Sequence, residues 1–379
     1  MKKVFSLFLS AVIAASLTLT GYAAEFTDRL DCKSAILVEA STGRTLYEKN
    51  ADQPLPPASV TKIMTVMLVC EALDSGKVSL TDKVPVSDNA SKMGGSQVYL
   101  KAGEEMTLED MLKSVIVSSA NDCAVALAEY IAGGESSFVS MMNSRAAELG
   151  MKNTHFENAT GLDDTVKNHV TSARDIALMS VELMKHGYVT DYTTIWMDTI
   201  RNGQFGLTNT NRLIRFYKGA NGLKTGMTAK AGFCISAAAK RGGMQLIAVI
   251  MGAPDRDTRN SAASKLLDYG FANYGIYTAE ASELPPVRLL GSVSAELGIY
   301  QQGFSALLPS QDVKNVSYEI KIPDTLHAPL KKGEQVGSIE FFCGGNPIGE
   351  APVCASADAP RIGFSEMIRM MLDRFLMLK

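Results

Sequence analysis

The sequence predicts an α/β domain whose sheet is at least partly antiparallel, followed by a small all-β domain. Two predicted β-hairpins lie on either side of a long helical stretch: Ser34–Glu39 with Thr45–Glu48, and Gly232–Ala239 with Met244–Met251. A hairpin joins neighbouring antiparallel strands, so the helices between the hairpins should cover that sheet. Beyond residue 285 the sequence changes to short alternating β runs broken by Gly and Pro, which indicates a separate β module.

The individual elements follow from turn residues and from the spacing of apolar side chains. Ala40–Gly43 supplies the turn of the first hairpin, and Lys240–Gly243 supplies that of the second. The spacing predicts helices at residues 60–74, 107–117, 122–132, 136–149, 172–186 and 261–274. In the β module, expected at about residues 287–357, the clearest predicted strands are Val316–Ile322 and Val336–Phe341.

We expect four segments: a signal peptide at 1–24, a main domain at 25–282, a small β-sandwich domain at 283–358 and an amphipathic helix at 359–379. Two lysines precede a short apolar run and Gly21-Tyr22-Ala23, which is the pattern of a secretory signal cut after Ala23 or Ala24. An uncleaved membrane anchor is the minor alternative, because the apolar run is short for a transmembrane helix.

The C-terminal segment predicts a helix with an apolar face. Helical spacing separates apolar side chains from basic ones: Phe364, Met367, Ile368, Met371, Phe375 and Leu378 share a face, and Arg369, Arg374 and Lys379 lie elsewhere. Such a helix can lie in the plane of a membrane as an anchor. The alternative is a helix packed on the β module.

The composition argues against several kinds of partner. The chain has 37 Lys+Arg and 40 Asp+Glu, and this weakly acidic balance argues against nucleic acid. Six cysteines without a C-x-x-C pair, and only four histidines, predict no metal site. Cys70, Cys123 and Cys234 lie in apolar segments and should be buried thiols. Cys343 and Cys354 could pair, but spacing alone cannot establish a disulfide.

Ser59 and Lys62 are the most informative pair of residues. They follow a proline-rich segment, at the start of a helix in which every residue from Ile63 to Cys70 except Thr65 is apolar. Lys62 is one turn from Ser59 on the same face, and a buried lysine must be neutral or well paired. A serine beside an amine base at a helix start has the parts of an activated nucleophile. The alternative, an N-cap serine beside a surface lysine, fits the apolar helix poorly.

Two further short motifs carry candidate site residues. Ser119-Ala120-Asn121 lies between two predicted helices, where it could also be ordinary helix capping. Lys224-Thr225-Gly226 precedes the second hairpin, where the Lys and Thr suit an anionic group and Gly226 lets a ligand approach the backbone. Ser87-Asp88-Asn89 spells a related pattern but follows a strand-like run, and we interpret it as a polar turn.

The three motifs in this order resemble those of the D-alanyl-D-alanine carboxypeptidases, the low-molecular-mass penicillin-binding proteins. The resemblance extends to Lys152–Phe156, Thr171–Asp175 and Lys265–Gly270, and covers roughly residues 25–280. It implies a penicillin-binding-protein or serine β-lactamase-like fold for the main domain, with an antiparallel sheet flanked by helices. It also implies a protein without a metal or other cofactor, on the outer face of the bacterial cytoplasmic membrane, acting on peptidoglycan pentapeptides ending in D-Ala-D-Ala and inhibited covalently by β-lactams.

The resemblance also assigns roles. Ser59 would be the nucleophile, Lys62 its general base, kept neutral by burial and by the charge of Lys224, and Ser119 a proton relay to the leaving amine. Asn121 would bind the substrate backbone and help to orient Lys62. Lys224, Thr225 and Arg259 would bind the terminal carboxylate of the substrate. The alternative for Arg259 is a solvated charge on a loop. Gly226 would belong to the substrate strand, and the backbone N–H groups of Ser59 and Met227 would form the oxyanion hole.

Three other functions are compatible with parts of this pattern. A β-lactamase would need an added carboxylate, and the nearest candidate, Glu157-Asn158, lies in a carboxypeptidase-like stretch. A D,D-endopeptidase acting on wall cross-links shares the same residues. A catalytically silent wall-binding protein would be expected to lose at least one of the motif residues, and all of them are present.

Overall fold

The computed structural model describes residues 25–164 and 166–376, and these form two compact units. One unit spans Glu25–Ala272 and the other begins at Asn273. The predicted signal peptide lies outside the described residues. The expected domain limits stay predictions; the second unit begins earlier than residue 283 because the strand Tyr274–Ala279 pairs with Phe304–Pro309.

The first unit combines nine strands with nine helices within the described residues. The strands are β1 (Ser34–Glu39), β2 (Thr45–Lys49), β3 (Lys83–Pro85), β4 (Glu105–Thr107), β5 (Met197–Ile200), β6 (Phe205–Thr208), β7 (Ala220–Thr228), β8 (Gly232–Arg241) and β9 (Met244–Ala253). The helices are α1 (Lys62–Asp74), α2 (Asp88–Ser91), α3 (Leu108–Val117), α4 (Asn121–Ala132), α5 (Glu135–Glu148), α6 (Ala173–Leu183), α7 (Val189–Thr193), α8 (Leu213–Phe216) and α9 (Arg256–Asn273).

The main sheet of this unit is antiparallel throughout, in the order β2-β1-β9-β8-β7. Both predicted hairpins are confirmed, and β1 joins them by pairing with β9 from Ser34↔Met251 to Glu39↔Leu246. The first and last parts of the unit therefore build one sheet, and β7 becomes its edge. Two further pairs, β3 with β4 and β5 with β6, are small hairpin-like additions.

Helix α1 runs through the core of the first unit, as its all-apolar sequence predicts. Ten of its residues are buried, from Lys62 through Cys70 without interruption and then Ala72. Helices α3, α4 and α6 pack against it, and α6 also covers β1 and β9. A helix buried on every side is held in one position, which fixes the residues at its first turn.

The second unit is mostly β-structure. It contains β10 (Tyr274–Ala279), β11 (Ser282–Leu290), β12 (Glu296–Gln301), β13 (Phe304–Pro309), β14 (Val316–Lys321), β15 (Thr325–His327), β16 (Gln335–Cys343) and β17 (Asn346–Ala355). Six strands form a sheet in the order β14-β16-β17-β12-β11-β15, and β10 pairs with β13. Phe304 and Phe341 stack with ring centroids 4.4 Å apart inside this unit. The all-β module is confirmed.

The structure also describes the six cysteines and the C-terminal helix. All six cysteines are free, and Cys343 and Cys354 do not pair because they lie toward opposite ends of the β16–β17 hairpin. Helix α10 (Phe364–Phe375) follows the β strands, and Leu378 lies outside the described residues. None of the helices in the described residues is long and apolar enough to cross a membrane.

Candidate active site

Ser59 lies in a short 3-10 turn, Ala58–Thr61, that leads directly into α1. Ala58 has a φ of +50°, which an L-residue adopts only when its surroundings enforce it. This turn brings the Ser59 hydroxyl to 2.9 Å from the Nζ of Lys62. The structure therefore joins the two residues that the sequence predicts as nucleophile and base.

Lys62 is fully buried, and its pKa is lowered well below the ordinary lysine value. Burial is the main cause because the charged form loses its hydration, and the positive charge of Lys224 adds to the effect. The carboxylate of Asp122 opposes the shift. A neutral amine at this position can accept the proton of a neighbouring hydroxyl.

A main-chain carbonyl holds the Lys62 amine from the other side. Nζ donates to the carbonyl oxygen of Thr160 at 2.9 Å. Asn158 shapes this loop, because its Oδ1 accepts from the backbone N–H of Thr160 and Gly161 and its Nδ2 donates to Leu162. This contact could not be predicted from the sequence, since a backbone carbonyl leaves no residue-type signal.

His169 links the same loop to the turn that carries Ser59. The backbone N–H of Glu157 donates to Nδ1 of His169, so the proton of the neutral ring is on Nε2, which donates to Thr61 Oγ1 at 2.8 Å. Thr61 in turn donates to the carbonyl of Ala58. Burial lowers the pKa of His169 to about 4, so the ring stays neutral at ordinary pH.

Ser119 and Asn121 occupy the connection between α3 and α4. Ser119 has a φ of +63°, and its hydroxyl is buried without a hydrogen-bond partner. Asn121 donates through Nδ2 to the carbonyl of Gly94, while its Oδ1 is buried and unpaired. Unpaired buried polar atoms are costly, and a site that binds a polar ligand is one explanation for them. Lys62 is oriented by Thr160, and among the described residues Asn121 makes no hydrogen bond to it, which differs from the expectation.

Strand β7 forms the opposite wall of the site. Lys224 is buried, donates to the Thr225 carbonyl at 3.0 Å, and has its pKa lowered to about 7 by burial and by Arg259. Thr225 donates to Thr210 Oγ1 at 2.8 Å. A Cβ added to Gly226 would lie 2.8 Å from the backbone nitrogen of Ser59, so only glycine lets this strand pass so close to the Ser59 turn.

Arg259 comes from the first turns of α9 and is only 3% exposed, so it is not a solvated loop charge. Its guanidinium donates to Asn260 Oδ1 at 2.9 Å and to the Cys234 carbonyl at 3.4 Å. Helix α9 begins at Arg256, earlier than predicted, because Asp255 accepts from the backbone N–H of Thr258.

These residues face one cleft of about 700 Å³. Of the predicted site residues, Ser59, Ser119, Thr225, Gly226, Met227 and Arg259 line it. Lys62, Asn121 and Lys224 do not line it; Lys62 and Lys224 are buried and line a separate small cavity. The cleft is also lined by residues that were not predicted from the sequence: Ser96, Trp196, Thr208, Asn209, Thr210, Arg212, Phe216, Phe233 and Arg256. Nothing in their local sequence pointed to a site, since most lie on connecting segments whose path is set by the fold.

Two candidate residues of the rejected interpretations lie elsewhere. Ser87 is the N-cap of α2 and accepts from the backbone N–H of Ala90, which confirms that Ser87-Asp88-Asn89 is a capped turn. The Glu157 carboxylate accepts from the backbone N–H groups of Lys167 and Asn168. Glu157 is not a lining residue of the cleft.

Comparison with known proteins assigns the family. The family model described as D-alanyl-D-alanine carboxypeptidase matches residues 22–255, and one described as penicillin-binding protein 5, C-terminal domain, matches residues 292–361. The D-alanyl-D-alanine carboxypeptidase DacF of Bacillus subtilis is 39% identical, with 97% of each chain covered. The chain belongs to the D-alanyl-D-alanine carboxypeptidase family, and the predicted class of enzyme, a serine-type carboxypeptidase hydrolase, is confirmed.

Solved structures agree with the predicted fold. Penicillin-binding protein 5 from Haemophilus influenzae superposes with a TM-score of 0.75 at 29% identity, covering 89% of this chain and all (100%) of the other. Penicillin-binding protein D2 from Listeria monocytogenes in its cefotaxime-bound form gives a TM-score of 0.60 at 32% identity, covering 65% of this chain and 100% of the other. The penicillin-binding-protein fold is therefore confirmed.

We predict that Gly161→Ala destabilises the protein more than Gly133→Ala. Both glycines have positive φ, +84° and +77°, so both substitutions carry a backbone penalty of about 1–3 kcal/mol. Only at Gly161 would the new Cβ collide, 1.8 Å from the Ala58 carbonyl oxygen, whereas nothing lies within 4 Å at Gly133. Urea denaturation of the two variants measures the difference, and equal losses would contradict the close approach of this loop to the Ser59 turn.

We predict that Lys224→Met flattens the pH dependence of stability in the alkaline range. The pKa of Lys224 is about 7 in the folded protein against 10.5 for an ordinary lysine, so between these values the unfolded chain holds a proton that the folded chain has released. Raising the pH through this window therefore stabilises the wild-type fold. Denaturation at several pH values should give a smaller positive slope for the variant; an unchanged slope would mean that Lys224 is not shifted.

Proposed function

We propose that this protein removes the terminal D-alanine from peptidoglycan stem pentapeptides through an acyl-enzyme on Ser59. One observation carries the proposal: Ser59 Oγ lies 2.9 Å from a buried amine whose pKa is strongly lowered. A serine hydroxyl becomes a useful nucleophile only when a base can take its proton, and this amine meets that need. The family of the chain supports the choice of substrate.

In the proposed acylation, Ser59 Oγ attacks the carbonyl between the last two D-alanines while its proton passes to Lys62 Nζ. The carbonyl oxygen becomes negative and is stabilised by the backbone N–H groups of Ser59 and Met227. The close approach of Gly226 to the Ser59 nitrogen supports this pairing. The Ser119 hydroxyl then passes its proton to the leaving nitrogen and takes up the proton held by Lys62, so that the C–N bond breaks and D-alanine departs. Water then attacks the ester, its proton passes through Lys62 to Ser59 Oγ, and the shortened peptide leaves as a carboxylic acid.

The residues around the nucleophile fit the two ends of such a substrate. Thr225 and Arg259 line the cleft and would bind the terminal carboxylate, with the Lys224 amine behind them. The unpaired Oδ1 of Asn121 would accept a hydrogen bond from the substrate backbone. A peptide that satisfies these groups is aligned for attack, because its carboxylate and its backbone are fixed on either side of Ser59.

The same chemistry would make β-lactams covalent inhibitors. The relative from Listeria monocytogenes is described with cefotaxime bound, and its fold matches this chain. A β-lactamase would need a carboxylate to direct water at the acyl group, and within the described residues no Asp or Glu lines the cleft. Glu157 is occupied by backbone N–H groups of its own loop. We therefore expect a long-lived penicillin adduct.

We also propose that the mature protein works outside the cytoplasm, on the outer face of the bacterial membrane, held there by α10. All the large apolar side chains described in this helix are exposed, from 41% at Ile368 to 86% at Phe375. Exposing this much apolar surface to water is unfavourable, and burial in a lipid interface relieves it without a membrane span. The exposure argues against the alternative in which this face packs on the β module.

Intact-mass spectrometry after exposure to penicillin tests the nucleophile. We expect the wild-type protein to gain the mass of one penicillin, and Ser59→Ala to gain none, because the attacking oxygen is missing. Release of D-alanine from a D-alanyl-D-alanine peptide should fall by several orders of magnitude in the variant, on the order of 10⁴ or more. Full activity in Ser59→Ala would refute the mechanism, and rapid loss of the adduct with drug turnover would favour a β-lactamase.

Removal of the C-terminal helix tests the membrane proposal. We expect a chain truncated before Arg361 to stay in the supernatant when mixed with anionic lipid vesicles, while the longer chain sediments with them. Phe375→Ser should weaken sedimentation, since it removes the most exposed apolar side chain of the helix. Equal sedimentation of the truncated and longer chains would show that α10 is not the anchor.

A further inference from the structure

The cleft holds more positive charge than one terminal carboxylate needs. Arg212, Arg256 and Arg259 line it, and within the described residues no acidic side chain does. We propose that Arg212 and Arg256 form a second anion subsite that selects peptides whose leaving D-residue carries a carboxylate on its side chain. This inference rests on the proposed function, since the first carboxylate is assigned to Thr225 and Arg259.

The two arginines lie on the leaving-group side of the cleft. The pKa of Arg259 is lowered to about 10, chiefly by burial and then by the charge of Arg256, with a further contribution from Arg212. Arg256 is also one helical turn before Arg259 in α9, and all three arginines line the same cleft. Because Arg259 is expected to hold the carboxylate of the leaving residue, Arg212 and Arg256 are beside that residue rather than beside the acyl half of the substrate.

Neither guanidinium is satisfied by the protein. In the part of the chain that the structure describes, Arg212 and Arg256 make no side-chain hydrogen bond and no ion pair. The nearest acid in sequence, Asp255, is bonded to the backbone and hydroxyl of Thr258 instead. Arg215 in α8 differs, because its guanidinium lies 5.5 Å from the Trp196 ring centroid and 5.6 Å from that of Phe216. Within the described residues, Arg212 and Arg256 are thus unpaired arginines that line the cleft.

A carboxylate that reaches these arginines would form charge-assisted hydrogen bonds with them. The methyl group of a leaving alanine cannot accept a hydrogen bond from either guanidinium. A side chain with a few methylenes and a terminal carboxylate could bring its charge to them. The cleft of about 700 Å³ has room for it, and Trp196 and Phe216 supply apolar walls for the methylenes. Trp196 Nε1 is also buried without a partner, which leaves a further donor in this wall.

The experiment compares N-acyl-D-alanyl peptides that differ only in the leaving residue. D-glutamate and D-2-aminopimelate carry a side-chain carboxylate at short and long reach, D-glutamine is the neutral match for the first, and D-alanine reports the basic reaction. We expect kcat/KM for the D-glutamate or D-2-aminopimelate peptide to exceed that for D-glutamine by about tenfold. The ratio should shrink as salt is raised, because exposed charges are screened.

Variants locate the effect. Arg212→Gln and Arg256→Gln should each reduce the acidic-to-neutral ratio severalfold, and the double variant should bring it close to one. Arg29→Gln is the matched control: it removes an equal charge from an exposed arginine of the same unit that does not line the cleft, and it should keep the ratio. If the acidic-to-neutral ratio fell equally in this control, the preference would come from the overall positive charge of the protein, and the subsite would be overturned.

Binding separates this inference from the proposed function. Isothermal titration of Ser59→Ala with the D-glutamate and D-glutamine peptides needs no turnover, and tighter binding of the acidic peptide supports the subsite. A ratio near one for both acidic peptides, in an enzyme that releases D-alanine normally, would overturn the inference and leave the proposed function intact. Absence of both penicillin acylation and D-alanine release would overturn the proposed function, while the titration would still decide whether the arginines bind a carboxylate.

Discussion

Burial of the Lys62 amine beneath Ser59 is the constraint on which the rest of the site depends. A buried lysine is unfavourable unless it loses its proton or finds a partner. Here the Lys62 nitrogen is hydrogen-bonded to the Thr160 carbonyl and the Ser59 hydroxyl. In the proposed mechanism this burial also serves the chemistry, because the lowered pKa would let Lys62 act as a general base. The free energy gained by burying the apolar core of the first unit offsets the cost of burying this lysine.

Close backbone approaches hold this pair in register. Strand β7 passes the Ser59 turn at Gly226, and the 158–162 loop passes it at Gly161, both at distances that exclude any Cβ. His169 connects that loop to the turn through Thr61, and the left-handed Ala58 shows that the turn is held in a strained form. Three segments far apart in sequence therefore fix the direction of one hydroxyl.

Charge is distributed so that the cleft attracts anions at one end. Lys62, Lys224 and Arg259 are buried, Arg259 in the wall of the cleft, and the cleft residues Arg212 and Arg256 are exposed. Burial lowers the pKa values of Lys62, Lys224 and Arg259, and repulsion by neighbouring cations lowers them further. A bound carboxylate would offset the repulsion, so substrate binding and the electrostatics of catalysis are coupled.

The sequence by itself determined the elements and the chemistry-bearing residues that have a local signature. Apolar spacing predicted α1 and both hairpins, and one helical turn between Ser59 and Lys62 predicted their contact, because helix geometry fixes an i,i+3 pair. Only the tertiary structure decided that the Thr160 carbonyl contacts Lys62 and that Arg212 and Arg256 line the cleft. It also decided the orientation of Asn121 and the start of α9. These depend on where loops return in space and on groups without a residue-type signal, so spacing along the chain could not reveal them.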